Sequence, residues 1–358
     1  MGRILLLIEL KGGNDGLNTV VPYADARYRD LRPGIGLARE RVIQLDEHTG
    51  LNEKLEPLME GWRAGDVAIV QGVGYPYPNR SHFRSIEIWD TASASSQTLG
   101  EGWIAQAFRG TTLPPGAGVD SIVIDTNALP STGPELRTIV MRDAENFLRQ
   151  AQALKGSEGL RNGGNPALRH LLAIRHEINA AAKGLSDKLR TAPAPAEAYP
   201  QEGLFARQLE LATRVLAARV PVVALKVALG SFDTHANQVQ AHERLLAALA
   251  TNLAILRRNL IAAGRWSEVL VMTYSEFGRR ARENASAGTD HGTAAPMFVM
   301  GGGIKGGLHG AAPSLADLQD GDLRHTVDFR SVFATAAAAC WGLQRDFGLR
   351  QPQRLRFV

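Results

Sequence analysis

The chain has 358 residues, enough to bury a full hydrophobic core as one large α/β domain or two smaller ones. Its formal net charge is +4, but the charged residues are scattered without a basic block, which argues against a nucleic-acid-binding surface. A single cysteine excludes an internal disulfide, and no apolar run approaches the roughly 18–20 residues that a membrane span requires.

Short aliphatic runs bounded by glycine and polar residues predict the strands of a central sheet. In chain order they lie at 3–10, 66–73, 121–125, 220–229, 267–275 and 296–302. Stretches with the helical period lie between them, at 51–65, 134–154, 166–191, 204–219 and 237–264. Continuous apolar strands interleaved with helices predict an α/β fold with a mostly parallel central sheet and helices on both faces. We therefore expect one domain over residues 1–358, with a helical insertion at about 134–219.

Polar motifs stand directly beside these strands, and ligands of open α/β sheets gather beyond the carboxyl ends of the strands. The first strand is followed by KGGNDGLNT, with Asn14 and Asp15, and the second by GVGYPYPNRSHFRS. The fourth leads into GSFDTHANQ, with Asp233 and His235, and the fifth into TYSEFGRR. GTDHGTAAP stands just before the last strand. Five polar motifs at strand boundaries predict a functional site at one edge of the sheet.

The carboxylates and imidazoles of these motifs suit a divalent metal ion. Asp233 and His235 are two positions apart, so both side chains project from the same face of an extended chain. Each aspartate taken alone is also a common helix cap or turn residue. Together, the oxygen and nitrogen donors suit zinc, manganese, magnesium or calcium, and they include no thiolate. The candidate ligands are Asp15, Asp233, His235, Glu276, Asp290 and His291.

Ser81 precedes a segment with helical period and allows two interpretations. It is a typical helix N-cap. The same position, where backbone N–H groups point at an anion, also suits a nucleophile whose hydroxyl a metal ion activates. Arg80 and Arg84 flank it and could bind the anion through guanidinium hydrogen bonds. Further candidates for substrate contacts are Asn14, His82 and Arg279.

Over nearly its whole length the chain resembles the bacterial family known as domain of unknown function 1501. The motifs that carry the resemblance are GGNDGLNTVVPY, GVGYPYPNRSHFRS, FDTHANQ, TYSEFGRR and GTDHGTAAPMFVMGGGIKGG. That family is grouped with the alkaline phosphatase and sulfatase superfamily. The resemblance therefore implies an alkaline-phosphatase-like α/β fold, one or two divalent metals, and a nucleophile at the start of a helix.

The resemblance also implies roles for individual residues. Asp15 looks like the superfamily's first metal ligand, and Ser81 looks like its nucleophile. Asp233 and His235 look like the Asp/His pair of one metal, although the phosphatases usually separate that pair by three residues rather than one.

Two alignments of the later motifs remain open. In the preferred one, Glu276 and His291 are ligands and Asp290 is either a ligand or an orienting group. In the other, Asp290 and His291 themselves occupy the place of the superfamily's Asp-His pair. The sequence SHFRS lacks the proline of the sulfatase maturation motif, so a formylglycine nucleophile is disfavoured.

The residues and the resemblance together predict metal-dependent hydrolysis of a phosphate ester, or less favourably a sulfate ester, of a small molecule or saccharide. Two alternatives remain. One is a metal- or glycan-binding protein that keeps the fold without turnover. The other is a phosphosugar mutase with a phosphorylated serine. The resemblance further implies export to the periplasm, commonly by a twin-arginine signal, which does not occur in this chain.

Overall fold

The computed structural model describes residues 2–111, 113, 118–143 and 183–358. Its helices are α1 (Ala26–Leu31), α2 (Met59–Arg63), α3 (His82–Thr91), α4 (Trp103–Ala107), α5 (Leu204–Ala217), α6 (Gln238–Ala262) and α7 (Phe329–Trp341). Residues 183–191 are also helical. Short 3₁₀ turns lie at Gly16–Asn18, Arg39–Arg41, Glu53–Leu58, Leu129–Ser131 and Trp266–Glu268.

The strands fall into one large sheet and two small ones. They are β1 (Ile4–Leu10), β2 (Val20–Val21), β3 (Val42–Gln44), β4 (Gly50–Asn52), β5 (Val67–Gly74), β6 (Ser121–Ile124), β7 (Thr138–Met141), β8 (Ala224–Leu229), β9 (Val269–Tyr274), β10 (Ala295–Met300), β11 (Gly307–His309), β12 (Leu318–Gln319), β13 (Asp322–Leu323) and β14 (Val327–Asp328).

The large sheet has the strand order β11-β5-β10-β9-β1-β8-β6-β7, with β14 also paired to β5. Strand β10 is antiparallel to both of its neighbours, whereas the other pairings of this sheet are parallel. The small sheets are β2-β4-β3 and the β12-β13 hairpin. The prediction of a mostly parallel central sheet is confirmed.

Two hydrophobic cores lie on opposite faces of the large sheet. The side chains of strand β1 alternate between these two cores. Leu6 and Ile8 pack in the core that includes residues of α5 and α6. Leu5 and Leu7 pack in the core that includes residues of α3, α4 and α7. Both faces of the strand are therefore buried, which explains its continuous apolar sequence and confirms helices on both faces.

One predicted helix is wrong in its first part. Residues 138–141, inside the predicted helix 134–154, form β7 and pair with β6 in parallel. Thr138, Ile139 and Val140 are β-branched and favour a strand, and pairing at the sheet edge decides their conformation. Residues 144–154, and 166–182 of the next predicted helix, lie outside the described residues. The single domain with a helical insertion stays a prediction.

Helix α6 is long and apolar enough to cross a membrane by length and composition, with a mean hydropathy of 1.3 over its most apolar window. That window is 61% buried inside the protein. Residues such as Leu249 and Leu253 are fully buried in the core beside the sheet, and a core helix passes the same test of length and composition. The absence of a membrane span stays a prediction.

Candidate functional site

The predicted motifs meet at one edge of the large sheet. Strands β1, β5, β8 and β9 run in the same direction, so their carboxyl ends share that edge. Strand β10 runs the other way, so the segment before it reaches the same edge. The loops after four strands and the loop before a fifth therefore surround one point.

Three imidazole rings converge on the carboxylate of Asp233. The Nε2 atoms of His235 and His291 lie 3.0 and 3.1 Å from Asp233 Oδ1. The Nε2 atom of His82 lies 3.4 Å from Asp233 Oδ2. The Nε2 atoms of His235 and His291 are also only 3.0 Å apart.

The other ring nitrogen of each histidine faces a hydrogen-bond acceptor. The pairs are His82 Nδ1 with Glu276 Oε1 at 2.8 Å, His235 Nδ1 with Asp290 Oδ1 at 3.3 Å, and His291 Nδ1 with the carbonyl oxygen of Arg80 at 2.8 Å. These partners place the proton of each neutral ring on Nδ1. The lone pair of each Nε2 atom then points toward the negatively charged carboxylate of Asp233. The lone pairs and the carboxylate repel one another unless a cation lies among them.

The donor set fits a divalent metal ion. Ligand atoms of His82, Asp233 and His291 all lie within 4.8 Å of one another, so these residues could hold one ion. Imidazole nitrogen and carboxylate oxygen are ligands that zinc and manganese accept. Histidine ligands of metals characteristically donate their other N–H to a carboxylate or a backbone carbonyl, as these rings do.

The carboxylate of Asp233 is held in its ionised form. Partial burial alone would raise its pKa, but the hydrogen bond and the positive charge of Arg279 outweigh burial and lower the pKa of Asp233 to about 2. Arg279 donates from Nη2 to Asp233 Oδ1 at 2.6 Å. Asp290, which faces Nδ1 of His235, also has a lowered pKa, chiefly because Asn284 donates a hydrogen bond to it.

Arg279 joins three of the loops rather than facing an open site. Its side chain is fully buried and donates hydrogen bonds to the carbonyl oxygens of Gly13, Thr289 and Phe232 at 2.7, 3.0 and 3.0 Å. It also donates to the carbonyl of Gly12. Its guanidinium is thus occupied by structural contacts, and its proposed contact with substrate stays a prediction.

Glu276 is almost fully buried and supports the same region. Its Oε1 accepts hydrogen bonds from the backbone N–H of Gly12 and from His82, both at 2.8 Å. Gly12 has a φ of +112°, and a Cβ there would meet the backbone of Asp233. Only glycine permits this close approach of the loops after β1 and β8. The geometry favours Glu276 as a partner of His82 over a direct ligand.

Asp15 lies beside this cluster, in a buried ion pair. Its Oδ2 is 2.6 Å from Arg32 Nη1, and it also accepts a hydrogen bond from Gln238. Burial would raise the pKa of Asp15, but the charge and hydrogen bond of Arg32 outweigh it, and the pKa is lowered. Asp15 Oδ1 is buried without a hydrogen-bond donor among the described residues, so one oxygen remains available to a cation. The neighbouring Asn14 accepts a hydrogen bond from His242 at 2.9 Å.

Ser81 occupies the N-cap position of α3, but within the described structure its side chain makes no capping hydrogen bond. The residue is exposed. It stands between Arg80, whose carbonyl holds His291, and His82, which contacts Asp233. Ser81 therefore stands at a helix start, between two residues that contact members of the histidine cluster.

The two arginines beside Ser81 have other partners. Arg80 pairs through Nη2 with Asp322. Arg84 lies 2.8 Å from Glu87 and donates to the carbonyl oxygens of Ser95 and Gln97. Their contact with an anion stays a prediction.

The sequence did not identify three polar residues that complete the site. Arg32 neutralises Asp15, Gln238 binds the same carboxylate, and Asn284 binds Asp290 at 3.1 Å. Arg32 follows α1 in a segment that contains no motif. Gln238 is the last residue of the FDTHANQ motif, and Asn284 stands seven residues before His291, so the sequence places both of them in or near a motif.

Comparison with solved structures finds weak overall similarity. The C-terminal periplasmic domain of EptC from Escherichia coli matches at 9% identity and a TM-score of 0.44, covering 97% of this chain and 84% of that one. The lipoteichoic acid synthase LtaP from Listeria monocytogenes gives 10% and 0.42, with coverage of 97% and 74%. A protein in the alkaline phosphatase superfamily from Vibrio parahaemolyticus gives 11% and 0.40, with coverage of 86% and 62%.

These scores establish no activity for this chain. Among curated proteins no match was found. Comparison with family models, in contrast, establishes the family of this chain. The residues that one model matches include four of the five motifs that carry the resemblance, and only the motif that contains Asp15 lies outside them. The model described as protein of unknown function (DUF1501) matches residues 44–346, more than half of the chain, which therefore belongs to that family.

Proposed function

We propose that this protein is a metal-dependent hydrolase of phosphate esters, with sulfate esters as the less favoured substrates. The observation that carries the proposal is the convergence of three imidazole Nε2 atoms on Asp233, one of them from His82, which follows Ser81 at the start of α3. Lone pairs and a carboxylate gathered at one point call for a cation, and an exposed hydroxyl at a helix N-terminus suits attack on an anionic ester.

The proposed ligands are His82, Asp233, His235 and His291, with Asp15 as a further carboxylate. Glu276, Asp290 and the carbonyl of Arg80 orient the histidine rings through their Nδ1–H groups. A bound divalent ion would supply positive charge that polarises the ester oxygen and favours ionisation of a neighbouring hydroxyl or water. Arg279 keeps Asp233 ionised and oriented.

Ser81 is the proposed nucleophile, with water as the alternative. Its hydroxyl makes no capping bond within the described structure, so it is free to turn toward a substrate. The backbone N–H groups of the first turn of α3 would hold the negatively charged oxygens of the ester.

The test combines metal content with turnover. The wild-type chain should hold one or two equivalents of zinc, manganese, magnesium or calcium by elemental mass spectrometry, and Asp233→Asn should lose the metal. Ser81→Ala should keep the metal and lose phosphomonoester turnover by at least about 10³-fold. His309→Gln, outside the site, serves as the matched histidine control. A wild-type protein that takes up none of these ions would refute the proposal, and unchanged turnover in Ser81→Ala would assign the attack to water.

The buried pair of Asp15 and Arg32 favours a second candidate, a metal-binding protein without turnover. By resemblance Asp15 would be a metal ligand, yet Arg32 already neutralises it at 2.6 Å. A site that lacks this ligand would hold fewer metals than a two-metal phosphatase. A metal-loaded protein that is inactive toward a broad panel of phosphate and sulfate esters would support this candidate.

Export, which the family resemblance implies, stays a proposal for cell fractionation to test.

A further inference from the structure

A cavity of about 630 Å³ lies beside the candidate metal centre, between the loop that precedes α3 and the β12-β13 hairpin. Arg80 belongs to both places, because its carbonyl holds His291 while the residue also lines the cavity. Thr293, two residues after His291, lines it as well. The volume is within the range of roughly 300–1,000 Å³ typical of small-molecule sites. The rest of a substrate held at Ser81 could extend into this space.

Tyr77 lines this cavity and holds a backbone conformation that costs free energy. The residue is 88% exposed and has a φ of +55°, in the left-handed region that bulky residues rarely adopt. Pro78 further restricts the backbone of the residue before it. Conformations of this kind cost free energy and gather at ligand-binding sites. Packing does not explain the exposed ring, whereas a ligand against its face would.

Asp322 supplies an unsatisfied acceptor to the same cavity. The residue is 1% exposed, and its Oδ2 pairs with Arg80. Its Oδ1 is buried without a hydrogen-bond donor among the described residues, and Arg280 Nε lies 4.0 Å away. Burial raises the pKa of this carboxyl, and the nearby arginines only partly offset that effect. A buried carboxylate oxygen without a donor is rare in folded proteins and suits a donor from a ligand.

The two features together define the chemistry of the ligand. A sugar ring offers a face of C–H groups that can pack on an aromatic ring, and hydroxyls that can donate to a carboxylate. Gln319 and Arg324 also line the cavity and can bind further hydroxyl oxygens. An apolar alcohol would fill the space but leave Asp322 without its donor, which costs free energy.

We propose that this cavity binds the alcohol part of the ester, and that this part is a saccharide or a similar polyol. The inference rests on the proposed function for the position of the phosphate, but the cavity can be tested separately. Tyr77 packs against the ring of the sugar, and Asp322 accepts a hydrogen bond from one of its hydroxyls.

The experiment compares ligands that differ only in their alcohol. Binding of methyl phosphate, glycerol phosphate and a panel of hexose phosphates to the metal-loaded chain is measured by calorimetry. Neutral methyl hexosides are examined by saturation-transfer NMR, which does not depend on the phosphate. We expect at least one hexose phosphate to bind about tenfold or more tightly than methyl phosphate. Tyr77→Ala should remove most of that preference and leave methyl phosphate affinity within about twofold, and Asp322→Asn should also reduce the preference.

Phe83→Ala is the matched control. Phe83 is 91% exposed, as an aromatic residue on α3, and is not among the residues that line the cavity. It should leave the preference for hexose phosphate intact. Because Tyr77 is so exposed, its variant should fold even if Asp322→Asn does not.

The outcomes separate the two proposals. Binding of methyl phosphate without any preference for hexose phosphates would overturn the cavity proposal and leave the hydrolase proposal standing. Saturation transfer to methyl hexosides that Tyr77→Ala abolishes, without binding of any phosphate, would support the cavity and refute the hydrolase. If neither class of ligand binds, both proposals fail.

Discussion

Asp15 and Arg32 form an ion pair in which both side chains are at most 1% exposed. Arg32 also donates to the carbonyl oxygens of Ala281 and Arg280 and to Asn18 Oδ1, each at 2.9 Å. Through these contacts Arg32, which directly follows α1, is joined to the segment after β1 and to the loop after β9. Its guanidinium is worth more to the fold than a surface charge, because Asp15, Asn18 and Ala281 would be left buried without their donor.

We predict that Arg32→Leu lowers the free energy of unfolding by about 3–5 kcal/mol, because it leaves the Asp15 carboxylate buried without a counter-charge. Chemical denaturation monitored by circular dichroism measures the loss. The double variant Asp15→Asn/Arg32→Leu should recover a large part of it. If the double variant is no more stable than Arg32→Leu, the cost arises from the other partners of Arg32 and not from the ion pair.

The sequence could predict which motifs meet but not which atoms pair. Asp233, His235 and His291 follow or precede strands, and parallel strands bring their ends together whatever the loop geometry. The sequence predicts that His82 contacts substrate, which stays a prediction, and the structure adds that its Nε2 atom faces Asp233. Whether a histidine at such an edge faces a metal or a substrate depends on ångström-scale positions of loops far apart in the chain. Those positions are not encoded in the spacing of any one motif.

At the scale of elements, two helix starts that look alike in sequence differ in the structure. Ser81 at α3 makes no side-chain capping bond within the described residues, whereas Asp328 at α7 accepts a hydrogen bond from Arg330 N at 3.0 Å. We predict that Ser81→Ala changes the free energy of unfolding by less than about 0.5 kcal/mol, and that Asp328→Ala lowers it by about 1–2 kcal/mol. Thermal and urea denaturation of the two variants provide the measurement.

A loss above about 1 kcal/mol in Ser81→Ala would identify the serine as a structural cap. The pair of variants thus separates the two interpretations that the sequence left open. It also shows whether a loss of turnover in Ser81→Ala is due to the missing hydroxyl or to a frayed helix.

Strand β7 shows the limit of periodicity as a guide to elements. The run TIVM is flanked by charged residues on both sides, and a helical period can be drawn through it. Its actual partner, β6, is 17 residues earlier in register, with Ser121 opposite Thr138. A short edge strand takes its conformation from that partner, so a window of local sequence does not determine it.

At the scale of the whole molecule, two buried groups give the stability opposite dependences on pH. Burial lowers the pKa of His242 to about 4, from 6.5. Burial raises the pKa of Asp90 to about 6, from 3.8, against the charge of Lys226. The unfolded chain therefore binds a proton at His242 between about pH 4 and 6.5 while the fold does not, and the reverse holds for Asp90 between about pH 3.8 and 6.

We predict that the wild-type stability relative to His242→Gln falls by roughly 3 kcal/mol as the pH drops from about 6.5 to 4. Relative to Asp90→Asn, the wild-type stability should change in the opposite sense and fall as the pH rises through about 6. Urea denaturation across this range measures both differences, in which other titrating groups cancel. Parallel curves for His242→Gln and wild type would contradict the prediction, because the ring would then take up its proton in the fold as readily as in the unfolded chain.

The reversed direction of β10 has a consequence for how the protein could change over time. The chain leaves the sheet at Tyr274 and returns at Ala295, so one excursion between adjacent antiparallel strands carries Glu276, Arg279 and His291. Both of its ends are anchored in the sheet, so its outer part can lengthen, shorten or be exchanged without shifting the register of either strand. The exposed residues of this excursion can therefore vary between related proteins, and with them the specificity of the site, while the pairing of β9 with β10 stays the same.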